Sequence, residues 1–192
     1  VAFIGPDMTG KSNIAEELSR TLDIPVFKNS GEWKTELDSE DYFLNLLRFG
    51  GPFLMDFIKQ VSPKVILDRF YPCELVYAEA FGRETDVKVV NWMDEQFSKA
   101  GGKFIICLRK DYSGLVDDVY PDKLPTAMLQ KIDELYRRFS EYTDCECLIL
   151  HTDDRDLEKQ MSKILNFFMD FADGSTSLWR WNHFVLVLPV LE

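Results

Sequence analysis

The sequence predicts an α/β fold of three layers, a five-stranded parallel sheet flanked on both faces by helices. Three observations carry that prediction. Short apolar runs alternate with longer stretches of helical period. The runs end in glycine, a carboxylate or a basic residue. The first run leads directly into a glycine loop, Gly5-Pro6-Asp7-Met8-Thr9-Gly10-Lys11-Ser12. Strands that alternate with helices pair in parallel, joined by right-handed crossovers.

In chain order, Val1-Ala2-Phe3-Ile4 suits a buried strand, and Ile14, Leu18 and Leu22 then recur every four residues as one helix face. Ile24 to Lys28 is a short second strand. Asn29 to Ser39 is a polar connection, and Asp38 or Ser39 can cap a helix through Phe49. Gly50-Gly51 is expected to end it, with Pro52 opening another helix through Gln60. Ser62-Pro63 is a turn before Val65-Ile66-Leu67, a buried strand that stops at Asp68.

Pro72 opens a helix that reaches Phe81 and stops at Gly82. The stretch from Asp86 to Lys99 carries Val90, Met93 and Phe97 on one face, and Gly101-Gly102 closes it. Phe104 to Leu108 is the fourth strand. Asp111 to Pro125, polar and holding one glycine and two prolines, reads as a short lid. Thr126 to Tyr142 keeps the helical period through Met128, Ile132, Leu135 and Phe139, and Cys147 to Leu150 is the fifth strand. Asp153 is expected to cap a last helix through Leu157, Met161, Ile164 and Phe168.

Residues 1–172 thus make one domain, and 173–192 form an apolar tail. Its run from Phe184 to Leu191, broken by Pro189, is too short to span a membrane as a helix. The expectation is an extended segment packed on the body or on the neighbouring subunit of a homodimer. No signal peptide is visible, and an opening Val1 in place of Met implies that at least one residue precedes it.

The net charge of −11 repels phosphate backbones, which argues against a general nucleic-acid binder but leaves room for small nucleotides in a basic pocket. Cys73, Cys107, Cys145 and Cys147 have no metal-ligand spacing, and a reducing cytoplasm suits them as thiols.

The glycine loop fits G-x-x-x-x-G-K-[ST], and its strand–loop–helix setting is that of a phosphate-binding P-loop. Backbone N–H groups of Gly5, Met8, Thr9 and Gly10 can turn toward phosphates, aided by the positive end of the following helix. Lys11 reaches the outer phosphates of ATP as a point charge, and the Ser12 hydroxyl can hold magnesium. Asp68, ending an apolar strand, is the expected second magnesium ligand. Arg69 can grip a phosphate with two parallel hydrogen bonds. Gly5, Asp68 and Arg109 all fall at carboxyl ends of strands, where ligands gather in such sheets, so Arg109 joins the ATP-binding set. His151 and His183 lack any metal or catalytic arrangement.

Gly5-x-Asp7-x-x-Gly10-Lys11-Ser12, followed by Asp68-Arg69-Phe70 and by Tyr77 on the next helix, resembles the thymidylate kinases and related deoxynucleoside monophosphate kinases. The likeness covers residues 1–172 in layout, with the loop and the Asp-Arg segment as its specific parts. It implies a P-loop kinase fold, with the ATP γ-phosphoryl group passing to a deoxynucleoside 5′-monophosphate. It also implies that Asp7 meets the acceptor's 3′-hydroxyl, that Arg69 holds its phosphate, and that Tyr77 lies against the deoxyribose. Phe43, Arg48 and Phe49 are the candidates that face the base.

The chain departs from the family in lacking a helping arginine in the P-loop or lid. The lid reads Asp117-Asp118-Val119-Tyr120-Pro121-Asp122-Lys123, and Arg109, Lys110, Lys123, Arg137 and Arg138 are the available cations. Asn29-Ser30-Gly31-Glu32-Trp33 also fails to match, which leaves the base open. A deoxynucleoside kinase is the nearest rival, with Glu32 as its only close carboxylate. A slow P-loop ATPase or switch is the rival from another class.

Overall fold

The computed structural model describes residues 1–28, 44–61, 64–115, 124–154 and 156–169. Its strands are β1 (Ala2–Ile4), β2 (Val26–Lys28), β3 (Ile66–Asp68), β4 (Lys103–Leu108) and β5 (Glu146–His151). They pair in parallel throughout, in the order β2-β3-β1-β4-β5. The helices are α1 (Lys11–Leu22), α2 (Gly51–Val61), α3 (Tyr71–Phe81), α4 (Val87–Lys99), α5 (Thr126–Tyr142) and α6 (Leu157–Met169). The predicted three-layer α/β architecture is therefore observed.

Side chains alternate between the two faces, because successive residues of a strand point opposite ways. Ala2, Ile4, Leu67, Phe104, Ile106 and Leu108 enter one core with Met55, Val76, Met93, Phe97, Ile132 and Phe139 from α2 to α5. Phe3, Ile66, Ile105 and Cys107 enter the other core with Ile14, Ala15 and Leu18 of α1 and Met161 and Ile164 of α6. A sheet covered on both faces reads as unbroken apolar runs, which is how these strands appear in the sequence. Each fully buried Phe, Leu or Ile contributes about 1.5–3 kcal/mol relative to exposure.

Two expectations are corrected. Gly50-Gly51 does not end a helix. Residues 46–50 form a widened π turn that runs straight into α2, and the Gly51 N–H bonds to the carbonyl of Leu46, five residues back. One extra residue in the turn accommodates Pro52, whose ring would clash with the carbonyl four residues back in a regular helix. Gly51 keeps helical dihedrals and is there for space: a Cβ would lie 2.5 Å from the sulfur of Met93. Secondly, Asp153 does not cap the last helix. Asp156 does so, its Oδ1 accepting from the N–H of Lys159 at 3.0 Å. Asp153 instead accepts from the backbone N–H groups of Lys110 and Asp111, 2.9 and 3.3 Å away.

Asp86 caps α4, accepting from Val89 N–H at 3.3 Å, and Pro72 lies in the first turn of α3 as predicted. The predicted caps Asp38 and Ser39, most of the lid and the apolar tail lie outside the described residues. Among the described residues no helix is long and apolar enough to cross a membrane.

Candidate functional site

Strand β1 feeds the glycine loop at the centre of the sheet, between β3 and β4. Gly5 has φ 144°, and a Cβ there would stand 2.1 Å from the carbonyl oxygen of Cys107, so only glycine fits. Gly10, at φ 75°, turns the chain into α1. The loop is tied internally: the Thr9 hydroxyl and the Lys11 ammonium both donate to the Pro6 carbonyl, at 2.9 and 3.0 Å. Lys11 is almost fully buried, and its Nζ lies 3.9 Å from Asp7 Oδ1. Burial, then the charge of Arg69, lowers its pKa to about 8. Met8 also has positive φ, at 63°, a conformation costing about 1–3 kcal/mol in a non-glycine residue and common where a loop is shaped for a ligand.

Asp68 ends β3 beside this loop, 6% exposed, with Oδ1 buried and without a hydrogen-bond partner. Ser12 is half-buried in the first turn of α1. Among the described residues, no three His, Cys, Asp or Glu are grouped to hold a metal by themselves. Two hard oxygen donors beside a phosphate loop fit magnesium, which keeps waters and binds through substrate phosphates.

Arg69, next in the chain, has φ 69°, again a left-handed position for a residue with a side chain. Its N–H stays bonded to the carbonyl of Phe3 at 2.9 Å, so the turn is fixed to β1 while the side chain swings over the loop. The guanidinium pairs with Asp7 Oδ1 and lies 5.9 Å from the ring centre of Tyr77. The Tyr77 hydroxyl donates to Asp7 Oδ2 at 2.9 Å. Residues 62 and 70 positions apart in the chain thus meet on one carboxylate. Burial raises the Asp7 pKa, but Arg69, Lys11 and the Tyr77 hydroxyl outweigh it and hold the carboxyl below its ordinary value. Burial, then the Asp7 charge, pushes the Tyr77 phenol up, so it remains a donor.

No family model and no curated protein matches the chain. Solved structures do. It is similar to the YorR protein of Bacillus subtilis in complex with phosphorylated GDP, at 20% identity over 88% of this chain and 94% of that one, with a TM-score of 0.60. A deoxyadenosine kinase from M. mycoides, with dCMP and a flexible dCDP bound, is 16% identical over 88% and 97%, with a TM-score of 0.56. A thymidylate kinase from Ehrlichia chaffeensis is 15% identical over 87% and 96%, also at 0.56. The chain has the P-loop kinase fold. In P-loop proteins the loop backbone and its lysine cradle the outer phosphates, while the Ser/Thr hydroxyl and a strand-end Asp hold magnesium. In this chain Gly5, Met8, Thr9, Gly10, Lys11 and Ser12 form the loop and first helical turn after β1, and Asp68 ends β3.

The remaining predicted residues divide. Arg109 is half-buried where β4 ends, its Nε donating to the Asp111 carbonyl and one terminal nitrogen to the Thr152 carbonyl, both at 3.2 Å. Arg48 is not gathered onto Asp7; its Nε donates to Asp86 Oδ2, at the start of α4, at 2.7 Å. Phe49 is 72% exposed, and Phe43 lies outside the described residues. Of the candidate lid cations, Arg137 pairs with Asp133 at 2.9 Å and Arg138 with Glu79 at 3.2 Å, whereas Lys123 is outside the described residues.

Asp133 was not among the residues singled out from the sequence. It is 6% exposed and collects donors from two segments, and the pattern held a signal for it. It stands four residues after Leu129 and three before Tyr136, a carboxylate on the apolar stripe of α5.

Proposed function

We propose that the protein is a magnesium-dependent kinase that transfers the γ-phosphoryl group of ATP to the 5′-phosphate of a deoxynucleoside monophosphate. The observation that carries this reading is the meeting of Asp7, Arg69 and Tyr77 at the mouth of the phosphate loop. A carboxylate inside a triphosphate-binding loop is electrostatically awkward. It is better explained by a sugar hydroxyl that it accepts from than by the needs of the loop.

The geometry, together with the resemblance to thymidylate kinases, supports the following roles. Loop N–H groups from Gly5 to Ser12 bind the donor phosphates. Lys11 exchanges the Pro6 carbonyl for the donor's outer phosphates and stabilises charge that develops during transfer. Ser12 and Asp68 would hold magnesium, which when bound neutralises negative charge on the donor phosphates. Arg69 exchanges Asp7 for the acceptor phosphate, Asp7 takes the 3′-hydroxyl, and Tyr77 packs on the deoxyribose and disfavours a 2′-hydroxyl. Arg109 flanks the donor nucleotide at the end of β4. A phosphate acceptor needs no general base, so positioning and charge neutralisation supply the catalysis.

One screen tests the reading. ADP release from MgATP is followed with each ribo- and deoxyribonucleoside and each 5′-monophosphate. The expected result is release that depends on a deoxynucleoside monophosphate. Release only with nucleosides would mean a hydroxyl acceptor, and release without any acceptor would mean an ATPase.

A further inference from the structure

The segment that leaves β4 is held from beneath by one buried carboxylate. Asp133 Oδ1 accepts from the backbone N–H of Arg109 at 3.2 Å and from the Tyr112 hydroxyl at 2.8 Å. Its Oδ2 accepts from Arg137 Nε at 2.9 Å. Tyr112 is only 2% exposed, so Oδ1 is shared by two donors with little access to water. A carboxylate bonded to buried donors is far more rigid than a surface ion pair, because removing it leaves each donor unsatisfied.

The far side of the segment is fixed as well. Asp153 Oδ1 takes the N–H groups of Lys110 and Asp111, and Asp111 takes the N–H and the hydroxyl of Ser113 at 2.7 and 2.8 Å. The guanidinium of Arg109 is aimed by two carbonyls, those of Asp111 and Thr152. Thr152 in turn is anchored on the carbonyl of Leu108, through its N–H at 3.0 Å and its hydroxyl at 3.3 Å. Both bonds of the Arg109 side chain therefore end on backbone next to the two anchors: the Asp111 N–H is held by Asp153, and Thr152 is tied to Leu108, which directly precedes the Arg109 N–H held by Asp133. Asp153 sits in the connection between β5 and α6, whereas Asp133 belongs to a long, well-packed helix. The firmer of the two anchors is Asp133.

We infer that Asp133 is a positioning residue for the donor nucleotide: it acts through Arg109 and the 109–113 turn, and sets donor affinity without touching the acceptor. This rests on the kinase reading above, which places ATP at the ends of β1 and β4. The work is done by Oδ1. Arg137 occupies the other oxygen and serves stability.

The test measures binding of MgATP, and separately of dTMP, dAMP, dCMP and dGMP, to the wild type and to Asp133→Ala, Asp133→Asn and Tyr112→Phe by calorimetry, with thermal melts alongside. Asp133→Ala is expected to weaken MgATP about tenfold or more while monophosphate affinity stays within twofold. Asp133→Asn keeps an oxygen toward Arg109 and Tyr112, so it should lower the melting temperature yet leave MgATP within threefold. Should the alanine variant fail to fold, Tyr112→Phe decides, since it removes one donor from the same oxygen. A two- to fourfold loss confined to MgATP supports the inference. Unchanged MgATP affinity in the folded variants, or equal losses for donor and acceptor, overturns it. A wild type that binds no MgATP would instead sink the kinase reading.

Discussion

Asp68 and Asp7, at the carboxyl ends of the strands, hold their hydrogen-bonding capacity open. One oxygen of Asp68 is buried without a partner among the described residues, and Asp7 faces an arginine and a tyrosine that the proposed acceptor would claim. Asp94, on α4, is the opposite case. Its carboxylate accepts from the Tyr71 hydroxyl, from the Thr143 hydroxyl at 2.6 Å and from Asp144 N–H at 2.8 Å. Those partners tie α3 and α4 to the turn that enters β5, at the amino edge of the sheet. Two of the three positive-φ residues other than glycine among the described residues, Met8 and Arg69, lie at the open end, and the third, Asp23, closes α1. Apart from the fixed anchor of Asp133 and Asp153 beneath the 109–113 turn, the carboxyl end of the sheet presents groups whose partners can exchange, whereas the Asp94 network is fixed. Substitutions in the two should therefore fail in different ways.

The sharpest contrast sets Lys11 against Asp94. Lys11→Ala is expected to lower turnover by about 10²–10³-fold or more, the usual consequence of losing a preorganised charge, with the thermal melt nearly unchanged. Near wild-type turnover would remove the phosphate-loop assignment. Asp94→Ala should do the reverse. It strands three donors and is expected to cost about 2–4 kcal/mol in urea unfolding, while activity per folded molecule is preserved. A variant as stable as wild type would mean that the Asp94 network holds nothing together.

Smaller effects sharpen the open end. Tyr77→Ala is expected to reduce the ratio of kcat/KM for matched deoxyribo- and ribonucleotides by about tenfold, within the range that a small steric difference supplies. Equal discrimination by wild type and variant would place the preference elsewhere. Lys11 provides a pH test. Its folded pKa is lowered to about 8, while donor phosphates favour the charged form. MgATP binding should therefore take up a proton as pH rises through 8, and affinity should fall above it. Calorimetry in buffers of different ionisation enthalpy reads that uptake. The Asp7 charge works against this uptake, because it raises the free-state pKa of Lys11 that burial and Arg69 lower.

Much of this arrangement is legible in the sequence. The apolar strands, the glycine loop and the stops at Gly82 and Gly101 depend on local chemistry, and the structure places them as read. The gathering of Asp7, Arg69 and Tyr77 was visible only through resemblance, because no local rule joins residues 62 or more positions apart. The Gly50-Gly51 pair misled because glycine serves two purposes: at Gly51 it makes room for Met93 instead of ending a helix. Asp153 misled because a carboxylate before a helix looks the same whether it caps that helix or takes N–H groups of a neighbouring loop. Asp94 carried no signal, since an aspartate on an amphipathic helix normally faces water.

The central claim is that the cluster around Asp7 is the acceptor side of the cleft, and Arg69 tests it most directly. In Arg69→Ala, kcat/KM for the acceptor found by the screen should fall by about 30-fold or more, in line with the roughly 2–5 kcal/mol lost with a buried charge pair, while MgATP affinity stays within about twofold. A fall in MgATP affinity with unchanged acceptor kinetics would contradict the account and reverse the two halves of the site.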